Sequence, residues 1–133
     1  MGLTSGNIRG DSVIDYELAN GAATVNVKFT TGNIAANATG TQASGTLVPT
    51  NAANVAVTSA GAAYSVTLPK ALVGLEIDIV CISATNTVVV FPAGSDTINA
   101  LSASAGLTMP ALTSATFLCM TAGAWYTSPR VPS

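Results

Sequence analysis

The clearest pattern along the chain is a strict alternation of apolar and polar residues on either side of an Asn-Gly pair. Apolar residues occupy every second position over residues 14–18 and again over residues 25–29, with the Asn-Gly pair at 20–21. Two alternating runs joined by Asn-Gly are typical of a β-hairpin with a two-residue turn. Counting outward from the turn places all the apolar residues on one face. The sequence therefore predicts a hairpin over residues 13–29.

Short β-patterns continue along the rest of the chain, each bounded by Ser, Gly, Asn or Pro. No segment shows the apolar period of 3.6 residues over the length that a helix needs. Residues 31–54, which follow the hairpin, are rich in Gly, Ala, Thr and Asn and form a long loop region. Because long structureless loops are uncommon in compact domains, this region either holds a short strand or contacts a neighbouring subunit. The eight strands predicted after it cover residues 55–57, 64–68, 75–82, 87–91, 97–101, 107–112, 115–120 and 125–127.

These patterns predict an all-β protein with one domain, preceded by an N-terminal arm. About 8–10 short strands favour a β-sandwich, a jelly-roll-like fold or a small barrel. No repeat of fixed period stands out, which argues against a solenoid. The arm covers residues 1–12, and the β domain covers residues 13–133, with its core over residues 55–128. Within the arm, only Leu3 and Ile8 offer apolar anchorage.

The charge content of the chain is unusually low for a folded protein. Of its 133 residues, 49% are hydrophobic and 8% are charged, and the formal net charge is −2. Charged residues ordinarily make up about 25% of a domain. Disorder is excluded because it accompanies low hydrophobicity and high net charge. Such a surface predicts contact with other protein, and the acidic balance argues against nucleic acid as a partner.

Neither a secretory signal nor a membrane span is present in the sequence pattern. The first residues lack a charged start followed by an apolar run, and no stretch approaches the ~20 apolar residues of a span. We therefore expect a protein that is made in a cytoplasm and has no membrane partner.

Residues that carry chemistry are scarce. The chain has no His, which removes the usual general base and the commonest metal ligand. Cys81 and Cys119 each lie in an apolar run and are expected to be buried free thiols. Glu76 and Asp78 share one face of a strand, which is compatible with an inverting glycosidase or a cation site completed by Asp96, but is expected to be a solvated outer face. The sequence therefore predicts no enzyme, no cofactor and no metal.

The segment from residue 66 to residue 126 resembles a known family. It reads Val-Thr-Leu-Pro at 66–69, Ile-Asp-Ile at 77–79, Asn-Thr-Val-Val-Val-Phe-Pro-Ala-Gly at 86–94, Asp-Thr-Ile-Asn at 96–99, Ala-Thr-Phe at 115–117 and Gly-Ala-Trp-Tyr at 123–126. This pattern is similar to a β-module in virion proteins of tailed bacteriophages, both capsid decoration (cement) proteins and the heads of fibres or tail spikes. The resemblance covers just under half of the chain.

Physical chemistry gives these short motifs structural roles. Pro92 and Gly94 are expected to end a strand, because proline cannot donate to a ladder and glycine accepts turn dihedrals. Asp96 and Asn99 are expected to satisfy loop backbone groups, with the residue between them pointing inward. A turn at residue 123 would let Trp125 pack on the strand that contains Phe117.

The resemblance implies a homotrimer on the outer surface of a capsid, where it contacts the major capsid protein. An N-terminal arm commonly makes such contacts in this family, so Leu3, Ile8 and Arg9 are the expected capsid-binding residues. The alternative is a fibre, receptor-binding or carbohydrate-binding head. The decoration role is favoured because the sequence shows no long shaft and no heptads that would carry a fibre head away from the particle.

Overall fold

The computed structural model of the protein describes residues 29–129, and within them the fold is all-β. Ten short strands form two sheets, and the first nine alternate between them, separated by turns that contain Gly, Ser, Asn or Pro. The strands are β1 (Phe29–Ala35), β2 (Thr46–Leu47), β3 (Ala52–Thr58), β4 (Tyr64–Thr67), β5 (Glu76–Cys81), β6 (Val88–Phe91), β7 (Thr97–Ile98), β8 (Leu107–Met109), β9 (Ser114–Thr121) and β10 (Ala124–Pro129).

The first six strands form a solenoid-like stack of three rungs. Each rung contributes one strand to a six-stranded sheet, ordered β1-β3-β5-β9-β10-β7, and one to a four-stranded sheet, ordered β2-β4-β6-β8. Neighbouring rungs pair in parallel, with β3 beside β1 and β5 in the first sheet and β4 beside β2 and β6 in the second. The expectation of a sandwich, jelly roll or barrel, and the argument against a solenoid, are therefore wrong.

A spacing of 24 residues relates the second and third rungs. Val55 lies beside Ile79 and Val57 beside Cys81 in the first sheet, and Val66 lies beside Val90 in the second. All six side chains are buried. Short strands of this kind cannot bury an apolar face alone, and stacking gives each rung a neighbour against which to bury it. The core therefore lies between the two sheets and runs along the stack.

Polar side chains also stack where the chain turns from the first sheet to the second. The Ser59 N–H donates to Ser83 Oγ at 2.5 Å, and Ser83 Oγ donates to the Ser59 carbonyl at 3.1 Å. Asn86 Nδ2 donates to the same carbonyl at 2.9 Å. These bonds satisfy backbone groups that the turn removes from the ladders.

The last strands close one end of the stack with antiparallel pairs. Strand β9 pairs with β5 and β10, and β8 pairs with β6. The β9–β10 turn contains Gly123 at φ +82°, a conformation that glycine adopts readily. Trp125 and Phe117, on these two strands, are both fully buried. The predicted turn and the packing of the tryptophan into the core are confirmed.

All eight strands predicted after residue 54 are confirmed, with ends shifted by a few residues. The loop region over residues 31–54 holds most of β1 and all of β2, so the first of its two alternatives, a short strand, is confirmed. The arm and residues 13–28 of the predicted hairpin lie outside the described residues, and Phe29 begins β1.

Candidate interaction surface

The described surface carries little charge. Lys70, Glu76, Asp78 and Asp96 are the charged residues between residues 29 and 129. Asp96 is buried, and Asp78 is half-buried with its carboxylate accepting a hydrogen bond from the Thr116 hydroxyl. Large apolar side chains are nonetheless exposed: Leu47, Leu72, Val73, Ile82, Leu101, Leu112, Met120 and Tyr126. Such a surface is suited to contact with other protein rather than with water.

Asp96 fixes the loop that joins β4 to β5. Its side chain is 2% exposed, and Oδ2 accepts a hydrogen bond from the Ala71 N–H at 2.8 Å. Oδ1 accepts a charge-assisted bond from Lys70 Nζ, whose side chain is 60% exposed. Because the Asp96 N–H also donates to the Ala93 carbonyl at 2.9 Å, the two loops are joined at one buried carboxylate. The sequence-based role of Asp96, to satisfy loop backbone, is confirmed.

Backbone hydrogen bonds fix the same loop to the closing strands. The Gly123 N–H donates to the Ala71 carbonyl at 3.0 Å, and the Gly74 N–H donates to the Cys119 carbonyl at 2.9 Å. The Cys119 N–H in turn donates to the Leu75 carbonyl at 2.9 Å. The loop is therefore held on both sides, although the side chains of Leu72 and Val73 are exposed.

An exposed apolar group lies at this corner of the first sheet. Val73 is 67% exposed and Met120 is 70% exposed, and Leu72 beside Val73 is also exposed. The bond between Gly74 and Cys119 places Val73 and Met120 on adjoining segments, since each is the chain neighbour of a bonded residue. We call Leu72, Val73 and Met120 the corner patch.

Further apolar surface continues from the corner patch along the outer face of the first sheet. Leu118 lies two residues before Met120 on the same face of β9, and it pairs with Tyr126 on β10 and with Glu76 on β5. Leu118 is half-buried and Tyr126 is exposed. This row across three strands therefore consists of one acidic side chain, Glu76, and two large side chains, Leu118 and Tyr126.

The three acidic residues of the described part of the chain, Glu76, Asp78 and Asp96, do not form one cluster. Glu76 is exposed and Asp78 half-buried on the outer face of β5, while Ile77 and Ile79 between and beyond them are buried. The expected outer face is confirmed. Asp96 is directed to Lys70 and the neighbouring loop instead of to this pair. Across residues 29–129, no three side chains among His, Cys, Asp and Glu are grouped so as to hold a metal ion.

The two cysteines are buried free thiols, as expected. Burial raises the pKa of the Cys119 thiol above its ordinary value, and the nearby negative charge of Asp96 acts in the same direction. Its Sγ donates to the Thr121 carbonyl at 3.3 Å. A thiol whose pKa is raised is mostly protonated at neutral pH, and Cys119 packs in the hydrophobic core.

Aromatic side chains offer little of the flat exposed surface that sugar sites use. Trp125 and Phe117 are both fully buried. Tyr64 is half-buried and packs against the core. Among residues 33–128, Tyr126 is the one exposed large aromatic side chain, at 41% exposure.

Sequence reasoning named the arm, and the structure adds the corner patch. Leu3, Ile8 and Arg9 lie outside the described residues, so their role stays a prediction. The corner patch was missed because Val73 and Met120 are 47 positions apart, and only the pairing of β5 with β9 brings their segments side by side. One available signal was a run of apolar residues, Ala-Leu-Val at 71–73, beside a glycine in a segment predicted to lie outside the strands.

Comparisons of the chain with protein-family models, with curated proteins and with solved structures found no match. The described part of the chain contains no helix long and apolar enough to cross a membrane.

Proposed function

We propose that the protein is a structural component of a phage virion that binds the outside of the capsid as a homotrimer and stabilises the shell. The observation that carries this proposal is the exterior of the folded body, which is poor in charge and rich in exposed apolar side chains. The family resemblance over residues 66–126 names the partner, which is the major capsid protein.

Burial of the exposed apolar side chains supplies the free energy of attachment in this proposal. Each large aliphatic or aromatic side chain transferred from water to a protein contact contributes on the order of 1.5–3 kcal/mol. Association itself costs several kcal/mol in lost freedom, so a few fully buried side chains must exceed that cost. A protein that binds the assembled shell and not its separated subunits stabilises the shell by mass action.

The direct test uses the purified full-length protein and capsids of its parent phage from which it has been removed. We expect cosedimentation with the capsids, density over the outer shell in electron microscopy and a higher temperature of shell disruption. Analytical ultracentrifugation of the free protein should give the mass of three chains. A single chain in solution that has no affinity for the shell would contradict the proposal.

Salt distinguishes apolar attachment from attachment by charge. Raising the ionic strength from about 0.1 to 1 M shortens the Debye length from about 10 to 3 Å and weakens contacts between exposed charges. With four charged residues in the described body, we expect the affinity for capsids to change by less than about threefold. Release of the protein at moderate salt would show that charge carries the attachment.

The corner patch is tested with charged substitutions. Val73→Lys combined with Met120→Lys should weaken either trimerisation or capsid binding at least tenfold, because burial of an unpaired ammonium is unfavourable. Leu112→Lys is the matched control, since Leu112 is as exposed as Met120 and lies in the loop between β8 and β9. Unchanged trimerisation and capsid binding in the double variant would remove the corner patch from the interface.

The arm is tested by deletion of residues 1–10. In this proposal Leu3, Ile8 and Arg9 contact the major capsid protein, and an extended arm suits strand addition to an exposed edge of a capsid sheet. The shortened protein should still form a trimer but bind capsids at least tenfold more weakly. Unchanged affinity would exclude the arm from shell contact.

A receptor-binding or carbohydrate-binding head is the second candidate, and exposed Tyr126 is the observation that favours it. A sugar ring stacks on an exposed aromatic face, and loss of glycan-array binding in Tyr126→Ala would support this function. Location of the protein at the tail in images of the particle would decide for it over capsid decoration.

A further inference from the structure

The loop that joins β4 to β5 carries two side chains of the corner patch between two charges. Lys70 precedes Leu72 and Val73 in this loop, and Glu76 follows the loop as the first residue of β5. The Lys70 side chain is 60% exposed, and Glu76 is exposed. Lys70 is also the one basic residue between residues 29 and 129. A positive and a negative group therefore lie at the two ends of one exposed apolar segment.

The two charges are fixed at different parts of the corner. Lys70 Nζ donates to the carboxylate of Asp96, in the loop that precedes β7. Glu76 lies on the outer face of the first sheet, where it pairs with Leu118 on β9. Residues 71–75 run between these two positions and are held by backbone hydrogen bonds to the closing strands. The corner patch therefore has a positive flank at Lys70 and a negative flank at Glu76.

This charge pattern is complementary to a second copy of the same chain. In a closed ring of identical subunits, one flank of each copy contacts the opposite flank of the next. Around a three-fold axis at the corner patch, Lys70 of one copy faces Glu76 of the next, and the apolar side chains meet at the centre. An ammonium has three N–H donors, so Lys70 can keep its bond to Asp96 and also bind a second carboxylate. A partner of uniform charge would repel one of the two flanks.

We propose that the corner patch is the contact between copies in the homotrimer, with Lys70 of each chain facing Glu76 of the next. Leu72, Val73 and Met120 then lie near the three-fold axis, and their burial supplies most of the free energy of association, because exposed ion pairs contribute little. The charges select the orientation of the copies. This inference rests on the proposed function, which assigns the corner patch either to the trimer or to the shell, and it names a second copy as the partner.

Charge reversal at Glu76 tests the orientation of the copies. Glu76→Lys places an ammonium opposite Lys70 of the next copy at every contact in the ring, so the dissociation constant of the trimer should rise at least about tenfold at low ionic strength. Analytical ultracentrifugation of the full-length protein without capsids, over a range of concentrations, measures this constant. Raising the ionic strength to about 1 M should reverse most of the loss, because salt screens exposed charges.

A second substitution identifies the group that Glu76 faces. Lys70→Met removes the ammonium, so Glu76→Lys combined with Lys70→Met should trimerise within about threefold of Lys70→Met alone. Thr108→Lys is the matched control, because it adds an ammonium at an exposed position on β8, in the other sheet, and should leave trimerisation unchanged. Circular dichroism of each variant confirms that the chain is folded, so that a loss of trimer is a loss of contact.

Val73→Lys tests the apolar centre of the contact. The exposed Val73 side chain tolerates lysine in the separated chain, but a trimer would bury an unpaired ammonium beside the axis. The dissociation constant should therefore rise at least about tenfold, and added salt should restore little of the loss, because the cost is one of desolvation.

The outcomes separate this inference from the proposed function. If the unmodified protein is a trimer and neither Glu76→Lys nor Val73→Lys weakens it, the inference is overturned and the proposed function stands. A defect in Glu76→Lys that Lys70→Met does not relieve also overturns the inference, because Lys70 is then not the opposing group. Variants that trimerise normally but lose capsid binding would show that the patch contacts the shell instead. An unmodified protein that sediments as a single chain would contradict the homotrimer of the proposed function itself.

Discussion

Replacement of Asp96 separates the contribution of a buried hydrogen bond from that of an exposed ion pair. The carboxylate is 2% exposed and accepts the Ala71 N–H at 2.8 Å. A hydrogen bond to a charged group contributes about 1.5–3 kcal/mol, and a buried N–H without its acceptor costs about 1–3 kcal/mol. Because the Lys70 side chain is 60% exposed, its ion pair contributes at most about 1 kcal/mol. We expect Asp96→Ala to lower the free energy of unfolding by about 2–4 kcal/mol, and Lys70→Met to lower it by less than about 1 kcal/mol.

The assay is urea unfolding followed by circular dichroism at one protein concentration, because association would make the midpoint depend on concentration. Asp96→Asn keeps one acceptor oxygen for Ala71 and should fall between the other two variants. The reasoning is refuted if Lys70→Met costs as much as Asp96→Ala, since the ion pair would then carry the stability. It is also refuted if Asp96→Ala is neutral, because the loop would not depend on the buried carboxylate.

Two further predictions concern close packing and a buried thiol. A Cβ on Gly45 would lie 2.3 Å from Thr67 Oγ1, so Gly45→Ala should cost about 1–3 kcal/mol in urea unfolding, and Thr67→Ala should recover part of that loss. Since the raised pKa of Cys119 favours the protonated thiol in the folded state, the stability it contributes is complete below the pKa of the unfolded thiol and is lost as pH rises through the folded pKa. The free energy of unfolding, measured from pH 7 to 10, should therefore fall more steeply with pH for the unmodified protein than for Cys119→Ala. Equal slopes would contradict this.

Local patterns in the sequence predicted the strands but not their order. Alternation and turn residues are short-range signals, and they located the eight strands after residue 54. The parallel stack depends on contacts between residues 24 apart, which need only matching size and polarity. Val55 beside Ile79 and Val57 beside Cys81 meet that requirement without identical residues. Thr46 pairs with Val66 at a spacing of 20, so the first rung also breaks the period. A weak and interrupted repeat of this kind does not stand out in one sequence.

The candidate surface was also predictable from the sequence only in part. Asp96 was predicted to satisfy loop backbone because short acidic side chains commonly do so, and this was confirmed. Its specific partner, Ala71, is 25 residues away and was not predictable, because that contact requires the folded arrangement of the two loops. The corner patch has the same origin, since Val73 and Met120 adjoin only after β5 and β9 pair.

Trp125 provides a test of what an unpaired buried N–H group costs in the core next to the closing strands. The side chain is fully buried, and its indole N–H has no hydrogen-bond partner among residues 29–129. An unpaired buried N–H costs about 1–3 kcal/mol, so Trp125→Phe removes an unfavourable group together with part of a favourable ring. These effects oppose each other, and we expect a loss of less than about 1.5 kcal/mol, against about 3–5 kcal/mol for Phe117→Ala, which leaves a cavity. Urea unfolding followed by circular dichroism measures both variants. A loss above about 3 kcal/mol in Trp125→Phe would contradict this balance of effects, because the unpaired N–H should offset part of the packing that is lost.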